Sequence, residues 1–137
     1  LCLAAKRGVD VRIITPGIPD KKMVWDLTRS YYPELLAAGV HIYEYTPGFL
    51  HSKVCVCDDA LTVVGTINLD YRSLYLHFEN ACLFFGGNIV KQVKADFLDT
   101  QMRSGRIRMA DVEKRTRART LIHEVYYAIL RLIAPLL

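Results

Sequence analysis

His51-Ser52-Lys53-Val54-Cys55-Val56-Cys57-Asp58-Asp59-Ala60-Leu61-Thr62-Val63-Val64-Gly65-Thr66-Ile67-Asn68 is the stretch on which the fold turns. β-Branched and small apolar residues lie on both sides of Asp58-Asp59-Ala60, so residues 52–57 and 61–66 read as two strands joined by a tight turn. Side chains two apart in a strand share a face, which aims His51 and Lys53 at one spot. Asn68 lies just past the second strand, and pairing of the two strands as a hairpin returns it to the level of His51. Gly65 and the small Thr66 would let a ligand approach this end closely.

Outward from the hairpin, a further strand is expected at residues 81–85, ended by Gly86-Gly87, with Asn88 capping a helix that runs to about Arg103. Toward the N-terminus, residues 40–45 and 9–14 read as strands, each ended by a proline–glycine pair. Between those two, residues 21–38 carry Trp25, Leu27, Tyr31, Leu35 and Leu36 on a rough apolar face. Pro33 predicts a kink there or two separate helices. Strand–helix–strand followed by adjacent strands predicts an α/β fold, a mixed β-sheet flanked by helices. Leu1 to Arg7 reads as the end of a helix stopped by Gly8, so the chain is expected to be a piece of something longer, folded as one domain over residues 1–137.

The last helix is expected over residues 118–134. Leu121, Ile122, Val125, Ile129, Leu132, Ile133 and Leu136 fall on one broad apolar face, a pattern shared by helices packed on a sheet and helices lying on a lipid surface. The packed arrangement is the expectation. Before it, Arg103, Arg106, Arg108, Lys114, Arg115, Arg117 and Arg119 are opposed only by Asp111 and Glu113, within a net charge of +4. This stretch suits either phosphates, on lipid or nucleic acid, or a solvated charged surface. The 52% hydrophobic and 23% charged content excludes disorder. No uncharged apolar run is long enough to span a bilayer, and no signal peptide is evident. Of Cys2, Cys55, Cys57 and Cys82, only Cys55 and Cys57 are close-set, and no second pair answers them, so no metal is expected. Free thiols in buried strands, in a reducing cytoplasmic-side environment, are the better reading.

The residues at the hairpin's open end suit a tetrahedral phosphate without a cofactor. Imidazole is an established covalent nucleophile. Lys53 brings a permanent positive charge for phosphate oxygens, and Asn68 and the Thr66 hydroxyl bring neutral donors. Here the sequence resembles a known family. His-x-Lys, four residues, Asp, six residues, Gly-Thr/Ser-x-Asn is the HKD motif of the phospholipase D superfamily, and every position of it is present. The resemblance implies a phospholipase D-like α/β/α sandwich, a phosphohistidine intermediate in which His51 is either the nucleophile or the general acid, phosphate held by Lys53, Thr66 and Asn68, and Asp58 as structural support. It also implies that a later carboxylate orients the histidine ring, and Glu79 in Phe78-Glu79-Asn80 matches that place.

The likeness narrows with Gly8-Val9-Asp10-Val11-Arg12-Ile13, Tyr43-Glu44-Tyr45, Gly48-Phe49-Leu50-His51, Asn68-Leu69-Asp70-Tyr71-Arg72-Ser73 and the ending from Leu130 to Leu137. These are similar to the C-terminal half of bacterial cardiolipin synthases. That resemblance implies transfer of a phosphatidyl group from one phosphatidylglycerol to another, at the bacterial cell membrane on its cytoplasmic side, by a chain itself soluble. His41, His77 and His123 lack Lys and Asn companions, so one HKD motif is present. Nucleophile and general acid act on opposite sides of phosphorus, so a second motif must come from an N-terminal half or a homodimer partner. The competing readings are a homodimeric phosphodiesterase acting on nucleic acid and an inactive half-domain. The lipid-synthase-like flanks argue against a nucleic-acid partner.

Overall fold

The computed structural model describes residues 1–117 and 121–136. The opening of the expected last helix, at 118–120, lies outside the described residues, as do Arg119 and Leu137. Helix α1 (Cys2–Lys6) ends before Gly8, whose φ of +90° turns the chain out of the helix. Strand β1 (Arg12–Pro16) starts later than the β-branched run suggests, because its partner begins only at His41. Helices α2 (Lys22–Ser30) and α3 (Tyr32–Ala37) divide where Pro33 predicts, the proline lying in the first turn of α3 where its missing N–H is harmless.

Strand β2 (His41–Tyr45) runs parallel to β1, in register Ile13 with Ile42. Its other edge carries a strand the sequence does not announce, β6 (Ser104–Ile107), antiparallel to it. Part of the basic stretch is therefore strand. Arg106 lies opposite Tyr43, and its guanidinium is 3.0 Å from the His41 Nδ1. Strands β3 (Lys53–Cys57), β4 (Leu61–Gly65) and β5 (Ala81–Phe85) form a separate antiparallel sheet in the order β3-β4-β5. The α/β expectation holds, with the strands divided between a mixed and an antiparallel three-stranded sheet. Helix α4 (Gly87–Met102) packs on strands of both. Asn88 does not cap it. The chain enters through Gly86 at φ +61°, whose N–H donates to the Ala60 carbonyl at 2.7 Å and ties the helix start to the β3–β4 turn.

The core of the first sheet is Tyr32, Val40, Ile42, Ile107 and Val112, the last from α5 (Met109–Arg117), with Leu35, Leu36, Val11 and Ile13 packed against it. Burial of Ile42 and Val40 stabilises the fold by roughly 1.5–3 kcal/mol each. Glu44 is also buried. Arg29 closes on it as a two-pronged pair, Nε to Oε1 at 2.8 Å and Nη2 to Oε2 at 2.6 Å, with its guanidinium 3.6 Å from the centre of the Trp25 ring. The Tyr32 hydroxyl lies 2.7 Å from the Thr15 hydroxyl, and burial raises its pKa.

Two further expectations fail. Cys55, Cys57 and Cys82 are exposed rather than buried. Alternate residues of the second sheet, Cys55, Cys57, Leu83 and Phe85, face outward uncovered, whereas Thr62 on the other face is fully buried. The second failure concerns α6 (Leu121–Leu132). It does pack, against α2, but with polar side chains and Leu130 turned inward. Tyr126 donates to Asp26 at 3.2 Å, Arg131 donates to the Ser30 hydroxyl and carbonyl, and the Arg131 guanidinium lies 4.4 Å from the centre of the Tyr31 ring. Leu130 and Ala134 are buried, while most of the apolar stripe points outward. Among the described residues no helix is long and apolar enough to cross a membrane.

Candidate functional site

The β3–β4 hairpin fixes the level of the motif residues. Its turn places Asp58 and Asp59 at φ +48° and +58°, the positive values that two-residue primed turns require, and the Ala60 N–H donates to the Cys57 carbonyl at 3.0 Å. From that turn the register runs Cys57 with Leu61 to Lys53 with Gly65. His51, two residues before Lys53, and Asn68, three residues after Gly65, therefore leave the hairpin at its same open end. Asp58 stands at the other end, as part of the turn.

His51 precedes the first strand residue rather than standing in the strand, so the two-residue period does not orient it. Its exposed ring stacks on Phe49, centres 5.6 Å apart and planes 16° apart. Lys53 reaches back and donates from Nζ to the His51 carbonyl oxygen at 2.7 Å. This contact holds the two residues together through the backbone. Asn68 is exposed in the loop that follows β4.

Glu79 and Thr66 meet across the β4–β5 pairing. The Thr66 hydroxyl donates to the Glu79 carboxylate and accepts from the Asn80 N–H at 3.0 Å, and the Thr66 N–H donates to the Asn80 carbonyl at 2.9 Å. Glu79 is held below its ordinary pKa, first by the Thr66 hydroxyl, then by that of Ser73, with smaller help from the charges of His77 and Lys53. The sequence assigns Thr66 to the phosphate and Glu79 to the histidine ring. In the structure these two groups bind each other.

Gly65 also has a different reason from the one its neighbourhood suggests. A Cβ there would stand 2.3 Å from the Asn80 carbonyl oxygen and 2.5 Å from Cα and Cβ of Ala81. The glycine admits the backbone of β5 rather than a ligand.

After Asn68 the chain makes a single-turn π-helix (Arg72–Leu76), closed by the His77 N–H on the Arg72 carbonyl at 2.8 Å and started by the Asp70 carboxylate accepting from the Ser73 N–H at 2.7 Å. Such turns frequently occur at functional sites. Ser73, Phe49 and Asn80 are the site neighbours that sequence reasoning misses. The Asp70-x-x-Ser73 spacing is the one local signal that points to any of them. Leu69, Tyr75, Leu76 and Phe78 project from this segment into solvent. Two concavities, of about 440 and 280 Å³, open beside the first sheet, and no motif residue lines either. Among the described residues no group of three or more His, Cys, Asp or Glu could hold a metal ion.

Residues 1–101 match the family described as "Cardiolipin synthase, PLD-like domain". The whole chain aligns with an uncharacterised protein of Streptococcus mutans at 51% identity, where it covers 29% of that protein. It also aligns with a cardiolipin synthase 2 of Bacillus anthracis at 42% and a cardiolipin synthase of Geobacillus kaustophilus at 47%, covering 26% of each. The chain thus spans little more than a quarter of the length of these curated relatives.

Proposed function

Because this chain belongs to the phospholipase D-like family of the cardiolipin synthases, we propose that it is one catalytic half of a phosphatidyltransferase that joins two phosphatidylglycerol molecules into cardiolipin and releases glycerol. The observation that carries this is the complete HKD motif on a hairpin whose register brings His51, Lys53, Thr66 and Asn68 to one open end. The chain is the C-terminal phospholipase D-like domain of the enzyme. It works without a metal or cofactor on the cytoplasmic surface of a bacterial membrane, and nucleic acid is not its substrate.

In the first step a motif histidine attacks phosphorus, a P–N bond forms, and the P–O bond to the departing glycerol breaks. The histidine of the other motif gives its proton to the glycerol oxygen. That same histidine then takes the proton from a glycerol hydroxyl of the second phosphatidylglycerol. The freed oxygen attacks phosphorus, the P–N bond breaks, and the product leaves. Lys53 swings from the His51 carbonyl to the phosphate oxygens, where Asn68 adds a neutral donor. Glu79, which Thr66 holds ionised, steadies the imidazolium as it forms. The exposure of the motif end, away from the two concavities beside the first sheet, supports the need for a second wall. An N-terminal HKD half or the twofold partner of a homodimer supplies it.

The test is conversion of labelled phosphatidylglycerol in vesicles by the full-length protein, wild type against His51→Ala and Lys53→Ala. Loss of a histidine that moves the proton or forms the intermediate lowers the rate by roughly 10²–10⁴-fold or more. Cardiolipin formation that survives His51→Ala removes the proposal. Cleavage of nucleic acid in place of lipid keeps the motif and overturns the substrate.

A further inference from the structure

Helix α6 is mounted the opposite way from a helix that seals a core. It is held to the body by Tyr126 on Asp26, by Arg131 on Ser30 and over Tyr31, and by the buried Leu130. Its apolar stripe is turned out, with Leu121 80%, Ile122 77%, Ile129 50% and Leu132 80% exposed. Leu136 in the 3-10 turn Ala134–Leu136 continues the stripe, at 77%. Twelve residues at 1.5 Å each make an apolar strip about 18 Å long. A water-facing helix of this composition loses the hydrophobic stabilisation its residues offer, and contiguous exposed apolar surface of this kind marks a docking face.

The charge of the segment that precedes the strip says what covers it. Residues 103–119, which lead into α6, hold seven basic side chains against two acidic ones, and on the helix only Glu124 is acidic. At the far end Arg72 donates to the Leu136 carbonyl at 3.4 Å, so a cation stands beside the last turn. An apolar strip with a basic segment before it in the chain and a tyrosine pair at its inner margin suits an anionic bilayer, whose headgroups would meet the segment and whose acyl boundary would meet the strip. A protein partner that buried the strip would instead have to bring carboxylates to meet the basic segment.

We infer that α6 docks its outward face into the surface of an anionic membrane, with the basic segment against lipid phosphates and the helix parallel to the bilayer plane. The Arg72–Leu136 contact joins this face to the π-turn that follows Asn68. The docked helix thereby sets the orientation in which the motif end meets the bilayer. Only the choice of a phospholipid surface rests on the proposed function, and the helix docks whether or not His51 transfers a phosphatidyl group.

The test replaces Ile129 with Trp in the full-length protein and follows the emission it adds to that of the unsubstituted protein. The probes are vesicles of phosphatidylglycerol with phosphatidylcholine, vesicles of phosphatidylcholine alone, and both with brominated acyl chains. The expected result is a blue shift and strong quenching by brominated lipid in the anionic vesicles, reduced several-fold in neutral vesicles and at high salt, where the basic segment is screened. Ile122→Glu added to Ile129→Trp lowers the quenching further. Emission that stays red-shifted and open to a soluble quencher in all vesicles overturns the inference. So does a blue shift before vesicles are added: if it depends on protein concentration the strip is covered by a second copy, and if not, by another part of the chain. A His51→Ala protein that still makes cardiolipin while Ile129→Trp is quenched refutes the catalytic reading alone.

Discussion

Replacement of Gly65 by alanine tests the placement of the site more directly than any change to the motif's charged residues. The new methyl group would stand 2.3 Å from the Asn80 carbonyl oxygen and 2.5 Å from two carbons of Ala81. Carbon atoms rest about 3.5–4.0 Å apart, so the backbones of β4 and β5 must separate by about 1 Å at this level. That movement stretches the Thr66 N–H bond to Asn80 from 2.9 Å and the Asn80 N–H bond to the Thr66 hydroxyl from 3.0 Å beyond useful length. Two such bonds at about 0.5–1.5 kcal/mol each, with an overpacking cost of about 1–3 kcal/mol, bring the total loss to about 2–6 kcal/mol. Equilibrium urea unfolding measures it. Gly48→Ala serves as the control, since an added Cβ there meets nothing within 4 Å, and it should change stability by no more than about 0.5 kcal/mol. If Gly65→Ala unfolds at the same urea concentration as Gly48→Ala, the close approach of β5 is not what requires the glycine.

Other outcomes follow from the same geometry. Arg29→Met removes the charged partner of the buried Glu44 carboxylate and should cost about 3–5 kcal/mol, most of which the double variant Arg29→Met/Glu44→Leu should regain in thermal or urea unfolding; no recovery would mean that Arg29 acts by packing on Trp25. The Glu79 carboxyl is depressed chiefly by the Thr66 hydroxyl, so its contribution to stability is complete above the unfolded-state value and is lost as pH falls through the lower folded value. Thr66→Val should therefore move the Glu79 carboxyl resonance toward ordinary carboxylate titration in carbon-detected NMR, and an unmoved midpoint would assign the depression elsewhere. In vesicle assays, His51→Ala and the Ile129→Trp reporter complete the set, the first reading chemistry and the second reading docking.

Much of this architecture is legible in the residues because two periods dominate it. The β-branched and small apolar residues on both sides of Asp58-Asp59-Ala60 identify β3 and β4, and Pro33 divides α2 from α3. Strand β6 escapes because Ser104-Gly105-Arg106-Ile107 has no intrinsic strand character. It is a strand because β2 offers it a free edge, and pairing overrides propensity. The Thr66–Glu79 bond spans thirteen positions and exists only because Gly65 pairs with Ala81, a register no local pattern encodes. Cys55 and Cys57 mislead because strand composition predicts burial, whereas the outer face of the second sheet is left open within this chain. For α6 the period announces an apolar stripe but not its direction, and the direction is decided by Tyr126 and Arg131, which find polar partners on α2.

The left-handed turn at Asp58 and Asp59 has a consequence for the tolerance of the motif to change in length. Because both arms of the hairpin are counted from that turn, the interval between the histidine and the asparagine works as a ruler with its zero at the aspartates. One residue inserted in either arm inverts every side chain beyond it, and Lys53 or Gly65 then lands on the wrong side of the sheet. Two residues added to each arm restore the sides and carry the open end about 7 Å further from the turn. Since Gly86 also ties α4 to the residue after that turn, the lengthened arms would overshoot the segment from Glu79 to Ala81 while the helix stayed behind. A designer grafting the motif onto another scaffold must therefore transplant the hairpin and its third strand as a single part.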